Sequence, residues 1–106
     1  MKLSPKIYQF LDKLSQYKGK FNWITEKNKD NSERIRGYVF DTDLYCPLSA
    51  VALFDKNVDC STTCFLKAGA ALRLSLKDIN TIVDSADGYG PSFSKTLRNR
   101  LEEILL

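Results

Sequence analysis

The sequence predicts a mainly α protein with a small β-hairpin (α+β), arranged as a compact bundle of about five short helices. Two observations predict this class. Apolar residues recur at helical spacing along most of the chain, and two β-favouring runs, FNWIT and RIRGYVF, flank the polar stretch Glu26 to Glu33. The length of 106 residues is usual for one domain, so we expect a single domain over residues 1–106.

The first predicted helix carries the clearest boundary signals. Ser4 can accept a hydrogen bond from a first-turn amide, Pro5 suits the first helical position, and Gly19 ends the pattern. The apolar face of this helix comprises Ile7, Phe10, Leu11, Leu14 and Tyr17. We expect this face to lie in the core.

Four further helices are predicted from caps, prolines and apolar spacing. They begin at Pro47, at Asp59 or Ser61, at Ser75 and at about Ser92. Ser75 with Asp78 three residues later resembles a capping box, and Gly88 and Gly90 interrupt the chain before the last helix. The predicted inner faces comprise Leu48, Val51, Ala52, Cys64, Phe65, Ala68, Leu72, Ile79, Ile82, Val83, Ala86, Phe93, Leu97, Leu101 and Ile104.

The chain contains no histidine, which excludes several classes of active site. A Cys-His or Ser-His nucleophile pair, a histidine general base and a histidine-bearing zinc site cannot be assembled. Cys46, Cys60 and Cys64 could in principle converge on zinc, but the Cys-x-x-Cys spacing of structural zinc sites is absent, and we interpret them as buried thiols. Asp41 and Asp43 form a D-x-D pair beside a predicted strand end, a pattern as typical of a turn with solvated surface as of a ligand site. We therefore expect no metal, no cofactor and no enzymatic activity.

The sequence also predicts in which cellular compartment the protein is found. Its first residues, MKLSPKIYQF, include no apolar run long enough for a signal peptide, and no segment approaches the length of a membrane span. An odd number of cysteines argues against a disulfide framework. We expect a cytoplasmic protein with reduced thiols that does not enter a membrane.

Positive charge is concentrated in the front of the chain. Residues 1–40 contain nine Lys/Arg against four Asp/Glu, whereas residues 41–90 contain four against seven and residues 91–106 contain three against two. We hypothesise that a partner binds through this basic front half.

The predicted hairpin supplies candidate partner-binding residues. It carries Trp23, Arg34, Arg36 and Tyr38, residue types that are enriched at binding hot spots. The alternative is that Trp23 belongs to the core and the arginines are solvated surface. Because an isolated hairpin is only marginally stable in water, one of its faces should pack against the helices.

The stretch AGAALRLSLKDINTIV, Ala68 to Val83, resembles the helix-turn-helix of bacterial repressors over about twenty residues. In that pattern a small residue in the first helix is followed by an apolar residue, a turn, and apolar residues that hold the second helix. These positions are occupied by Gly69, Leu72, Leu74, Ile79 and Ile82. The segment departs from the pattern at the turn, where Arg73 stands in place of the usual glycine.

The helix-turn-helix resemblance implies an alternative function in DNA binding. Its candidate DNA-binding residues are Arg73, Lys77, Asn80 and Thr81. The second helix also carries Asp78 and Asp84, which would lower affinity if they faced phosphate. A DNA reader further needs several Lys/Arg contacts to phosphate and donors for base edges, so the charge pattern favours a protein partner over DNA.

Four segments, RIRG, CPLSAVA, LRLSLKDINTIVDSADG and LRNRLEEIL, resemble small proteins of phage and prophage genomes over roughly the last seventy residues. The resemblance implies a compact accessory protein that binds and blocks host machinery, including defence systems. With this resemblance, the sequence predicts a non-catalytic small interaction protein that binds a host protein or complex, as a phage accessory or anti-defence inhibitor. The alternative is a helix-turn-helix DNA-binding regulator.

Overall fold

A computed structural model describes residues 3–20, 22–27, 29, 33–40, 43–59 and 65–105, with the strands, apart from Lys27, described by their backbone alone. Within these residues the chain forms five α-helices and three β-strands. In chain order they are α1 (Pro5–Tyr17), β1 (Asn22–Lys27), β2 (Glu33–Phe40), β3 (Asp43–Tyr45), α2 (Pro47–Lys56), α3 (Phe65–Ala71), α4 (Leu76–Asp87) and α5 (Lys95–Leu105). A single turn of 3-10 helix, Lys18–Lys20, follows α1.

The core lies between the helices. Its fully buried apolar side chains include Leu14 of α1, Leu48 of α2, Ile82 of α4, and Leu97 and Leu101 of α5. Burying one such side chain contributes about 1.5–3 kcal/mol, so the packing of amphipathic helix faces supplies the main stabilisation.

Most residues of the predicted inner faces are buried. Several lie only half-buried at the edge of the core, namely Tyr17, Phe65, Leu72, Val83, Phe93 and Ile104. The predicted inner-face residue Cys64 lies outside the described residues, as does Cys60. Cys46 is a half-buried free thiol.

The predicted fold class, a mainly α protein with a small β-hairpin, is wrong and is corrected here. Among the residues whose side chains are described, the core is all-helical: it consists of five helices and the segments that connect them. The backbone of the β segment forms an antiparallel sheet in the order β1-β2-β3, not a two-stranded hairpin. The third strand includes Asp43, a residue for which the sequence left a turn and a ligand site open.

The physical reason for the third strand is the free edge of β2. An edge strand presents unpaired backbone N–H and C=O groups, and β3 pairs with that edge through Tyr45 opposite Tyr38 and Leu44 opposite Val39. A strand of three residues is too short to show the alternation by which strands are recognised in a sequence.

The predicted helix starts at Ser4 and Ser75 are confirmed. The Ile7 N–H donates to Ser4 Oγ at 3.3 Å, and the Asp78 N–H donates to Ser75 Oγ at 3.1 Å. The capping-box interpretation fails in its second half, because the cap of α4 includes no bond from the Ser75 N–H to the Asp78 carboxylate. That carboxylate instead accepts a hydrogen bond from the Ser4 hydroxyl at 3.0 Å. This bond connects the first turns of α1 and α4.

One predicted helix start is displaced, and one lies outside the described residues. The third helix is described from Phe65 onward, and residues 60–64, on which the predicted start at Asp59 or Ser61 depends, lie outside the described residues. The last helix begins at Lys95 and not at Ser92, because the Ser94 hydroxyl accepts the Leu97 N–H at 3.3 Å and so provides the cap.

A buried arginine joins α5 to the end of α4. Arg98 is 5% exposed, and its guanidinium donates to the carbonyl of Ala86 at 2.6 Å and to that of Ser85 at 3.4 Å. Its Nε also donates to Glu102 Oε1 at 2.8 Å. The last carbonyls of a helix lack partners within that helix, so Arg98 satisfies groups that would otherwise be buried without a donor.

We predict that Arg98→Met lowers the free energy of unfolding by about 2–3 kcal/mol, because two buried carbonyls lose their donor. Urea unfolding monitored by circular dichroism measures this change. Arg100→Met is the matched control: Arg100 is 56% exposed and pairs with Glu103 at 3.6 Å, so its loss should change stability by no more than about 0.5 kcal/mol. Equal effects of the two substitutions would contradict the assigned role of Arg98.

Candidate binding face on the helix pair

The turn between α3 and α4 has the hydrogen bonds of a Schellman motif. The Leu74 N–H donates to the Gly69 carbonyl at 2.9 Å, and the Arg73 N–H donates to the Ala70 carbonyl at 3.0 Å. This motif requires a left-handed residue after the helix, and Arg73 takes that conformation with a φ of 59°. The turn therefore forms with arginine where glycine is usual.

The left-handed conformation of Arg73 carries a cost. For a residue with a Cβ it is less favourable by about 1–2 kcal/mol, whereas glycine adopts it freely. The two backbone hydrogen bonds of the turn hold Arg73 in place despite this cost.

Gly69 and Ile79 are in close contact where α3 and α4 meet. A Cβ added at Gly69 would overlap Cγ1 and Cδ1 of Ile79. Ile79 is 4% exposed, and Ala68 beside Gly69 is fully buried. The absence of a side chain at Gly69 thus allows α4 to pack directly on the backbone of α3.

We predict that Gly69→Ala lowers the free energy of unfolding by about 1–2 kcal/mol, since the strain of overpacking exceeds the better helix propensity of alanine. Chemical denaturation provides the measurement. Gly19→Ala is the control, because nothing lies within 4 Å of a Cβ at that position, and it should be neutral or stabilising by up to about 1 kcal/mol. A stabilising Gly69→Ala would show that the helices are not in this contact.

Asp78 and Asp84, the two carboxylates of α4 that would lower affinity for DNA, both accept hydrogen bonds from other parts of the protein. Asp78 accepts the Ser4 hydroxyl, as described above, and Asp84 Oδ2 accepts the Ser92 N–H at 2.9 Å. Gly90, with a φ of 123°, lies so close to the Asp84 carboxylate that a Cβ there would overlap it. Both donors are neutral, so the two carboxylates keep their negative charge while their oxygens are directed toward Ser4 and Ser92.

The candidate DNA-binding residues differ in exposure. Arg73 and Lys77 are exposed and Asn80 is half-buried, but Thr81 is only 8% exposed. The Thr81 hydroxyl donates to the Lys77 carbonyl at 2.9 Å, which directs it to its own helix. The exposed part of α4 is thus mainly its first turn.

Sequence reasoning missed two exposed leucines at the start of the helix pair. Leu66 in the first turn of α3 is 52% exposed, and Leu76 in the first turn of α4 is 62% exposed. Residues three apart are neighbours on a helix surface, so each leucine is next to one side of the Gly69–Ile79 contact. Leu76 lies three residues before Ile79 and seven before Val83, at the edge of the apolar stripe of its helix, so the sequence spacing gives no signal that it is exposed.

These leucines are each followed by an exposed lysine, Lys67 and Lys77. We call these four residues the helix-pair face. All four are exposed, two of them apolar and two positively charged, and they lie in the first turns of α3 and α4. Asp78, also in the first turn of α4, accepts a hydrogen bond from the Ser4 hydroxyl.

The side chains of Trp23, Arg34, Arg36 and Tyr38 lie outside the described part of the structure. The strand register nevertheless places Trp23 opposite Tyr38 and Glu26 opposite Arg34. The pairing shifts between Ile24 and Thr25, whose partners are Gly37 and Ile35, so Arg36 is the extra residue of a bulge.

No known protein family, curated protein or solved structure matches the chain. The candidate site is therefore interpreted from its own geometry. Among the described residues, no three His, Cys, Asp or Glu side chains are grouped as metal ligands would be. No helix in the described ranges has the length and apolar character needed to cross a bilayer.

Proposed function

We propose that the protein is a non-catalytic interaction module that acts in the cytoplasm and binds another protein through the helix-pair face. The observation that carries this proposal is the exposure of Leu76, which is 62% accessible on the most exposed turn of α4. Large apolar side chains in the centre of protein interfaces lose their exposure on binding and supply much of the affinity.

The resemblance to phage accessory proteins supports a host protein as the partner and inhibition as the consequence of binding. Under this proposal, Trp23, Arg34, Arg36 and Tyr38 remain a predicted second contact region on β1 and β2. Their residue types and the basic front half of the chain support that prediction.

A DNA-binding regulator is the second candidate, and two observations favour it. The turn of the helix pair forms although Arg73 replaces glycine, and the carboxylates of Asp78 and Asp84, although still charged, are directed toward Ser4 and Ser92. In a DNA-binding helix-turn-helix, however, the first turns of the second helix present donors to base edges. Here that region presents Leu76, and the hydroxyl of Thr81 is buried, so protein binding is the better-supported function.

We predict that Leu76→Asp weakens binding of the protein partner at least tenfold, because a charge replaces an apolar side chain that is buried on binding. The partner is captured from lysate of the natural host after nuclease treatment, identified by mass spectrometry, purified and titrated against both proteins. Tyr89→Asp is the matched control: Tyr89 is 70% exposed and follows the other end of α4, so this variant should bind like the parent.

The same experiment distinguishes protein binding from DNA binding. If no partner survives nuclease treatment, and mixed-sequence duplex DNA binds with an affinity that falls steeply with salt and is abolished by Lys77→Ala with Asn80→Ala, the protein-binding proposal is wrong. Unchanged partner affinity in Leu76→Asp would remove the helix-pair face from the interface. Arg34→Glu with Arg36→Glu would then test the strand region.

A further inference from the structure

A pocket of about 160 Å³ lies beside the turn of the helix pair, between α1, α2 and the residues that follow α3. We call it the turn pocket. Its apolar walls are formed by Phe10, Val51, Leu72 and Leu74. Four cationic side chains border it, those of Lys6, Lys13, Lys56 and Arg73.

The turn pocket has an excess of positive charge. Asp55 is the single carboxylate among its lining residues, and it is paired with Lys13 at 2.9 Å and with Lys56 at 3.8 Å. Asp55 also accepts the Tyr17 hydroxyl at 3.3 Å. The hydrogen bond from Lys13 holds the pKa of Asp55 below its ordinary value. This carboxylate therefore stays charged and paired with Lys13 and Lys56.

Two cations at the pocket have no such partner. Lys6 and Arg73 form no ion pair with any acidic side chain in the described part of the chain. Both are exposed, one from α1 and one from the turn after α3. They are therefore free to bind an external anion at the mouth of an apolar pocket.

The pocket has the size of one side chain. Pockets for cofactors and drug-sized ligands measure about 300–1,000 Å³, whereas a cavity of about 150 Å³ holds a single benzene ring. The turn pocket is thus too small for a cofactor and fits the aromatic or aliphatic anchor of a protein segment.

The backbone conformation of Arg73 also supports a binding site at the turn pocket. Glycine would adopt the left-handed conformation freely, so the arginine imposes a conformational cost at this position. Non-glycine residues in such conformations concentrate at functional sites, and a guanidinium binds a carboxylate through two parallel hydrogen bonds.

We propose that the turn pocket binds an acidic segment of a protein partner: an apolar side chain enters the pocket, and flanking carboxylates pair with Lys6 and Arg73. This inference rests on the proposed function as a protein-binding module and adds the chemistry of the partner. It also adds a third contact region, on the turn that joins the two helices of the helix-pair face.

The test is a selection of random heptapeptides displayed on phage against the complete protein, followed by fluorescence titration of synthetic copies. Selected peptides should carry an apolar residue flanked by Asp or Glu. Replacing those acids with Asn or Gln should weaken binding at least tenfold, and the protein variant Lys6→Gln with Arg73→Gln should cause the same loss. Lys95→Gln, which removes an exposed charge from α5, is the control and should bind normally.

Thermal unfolding of each variant shows whether a loss of binding reflects a loss of fold. The inference is overturned if no peptide is enriched, if the enriched peptides lack acidic residues, or if Lys6→Gln with Arg73→Gln leaves their affinity unchanged. It is also overturned if inorganic phosphate or duplex DNA displaces the peptides, since the site would then be a general anion site. Peptides that respond to Leu76→Asp but not to the pocket variant would refute the pocket and leave the proposed function intact.

Discussion

The packing of Ile79 on the backbone of Gly69 fixes how α3 and α4 lie against each other, and the other features of the helix pair depend on it. A close approach at this point leaves the chain only a short turn between the helices. That turn is closed by the Schellman hydrogen bonds, which require a left-handed residue at Arg73. The turn and the position of Arg73 thus follow from the contact between Gly69 and Ile79.

Other interactions hold this pair within the bundle. The Ser4 hydroxyl binds Asp78 and attaches α1 to the first turn of α4, while Arg98 binds the carbonyls at the other end of α4 and attaches α5. α4 is thus attached to other helices at both of its ends, and its first turn carries the exposed Leu76. A backbone that is held in place in the free protein loses less entropy on binding, which suits a docking surface.

Much of the helical fold could be predicted from local chemistry. The caps at Ser4 and Ser75 and the left-handed end of α4 at Gly88 follow from residue types that satisfy helix termini. The third strand could not be predicted, because it is formed by pairing with β2 and not by a pattern within its own three residues. Arg98 also escaped prediction, since a surface arginine and a buried one have the same local sequence signal.

The candidate site was only partly predictable for a related reason. The helix-turn-helix pattern located Gly69, Arg73 and Ile79, but it did not show that Asp78 and Asp84 are bound by Ser4 and Ser92. The turn pocket combines α1, α2 and the turn, residues distant in the chain, so no spacing rule points to it. Its charge excess depends on which lysines Asp55 neutralises, and that is a property of the folded structure.

The most direct test of the central claim is an NMR measurement of the Gly69–Ile79 contact in isotope-labelled protein. The account predicts strong nuclear Overhauser effects between the Gly69 α-protons and the Ile79 δ1-methyl group. It also predicts the strong intraresidue amide-to-α-proton effect at Arg73 that a positive φ produces. Absence of the Gly69–Ile79 effects, or a negative φ at Arg73, would contradict the packing on which the helix-pair face and the turn pocket both depend.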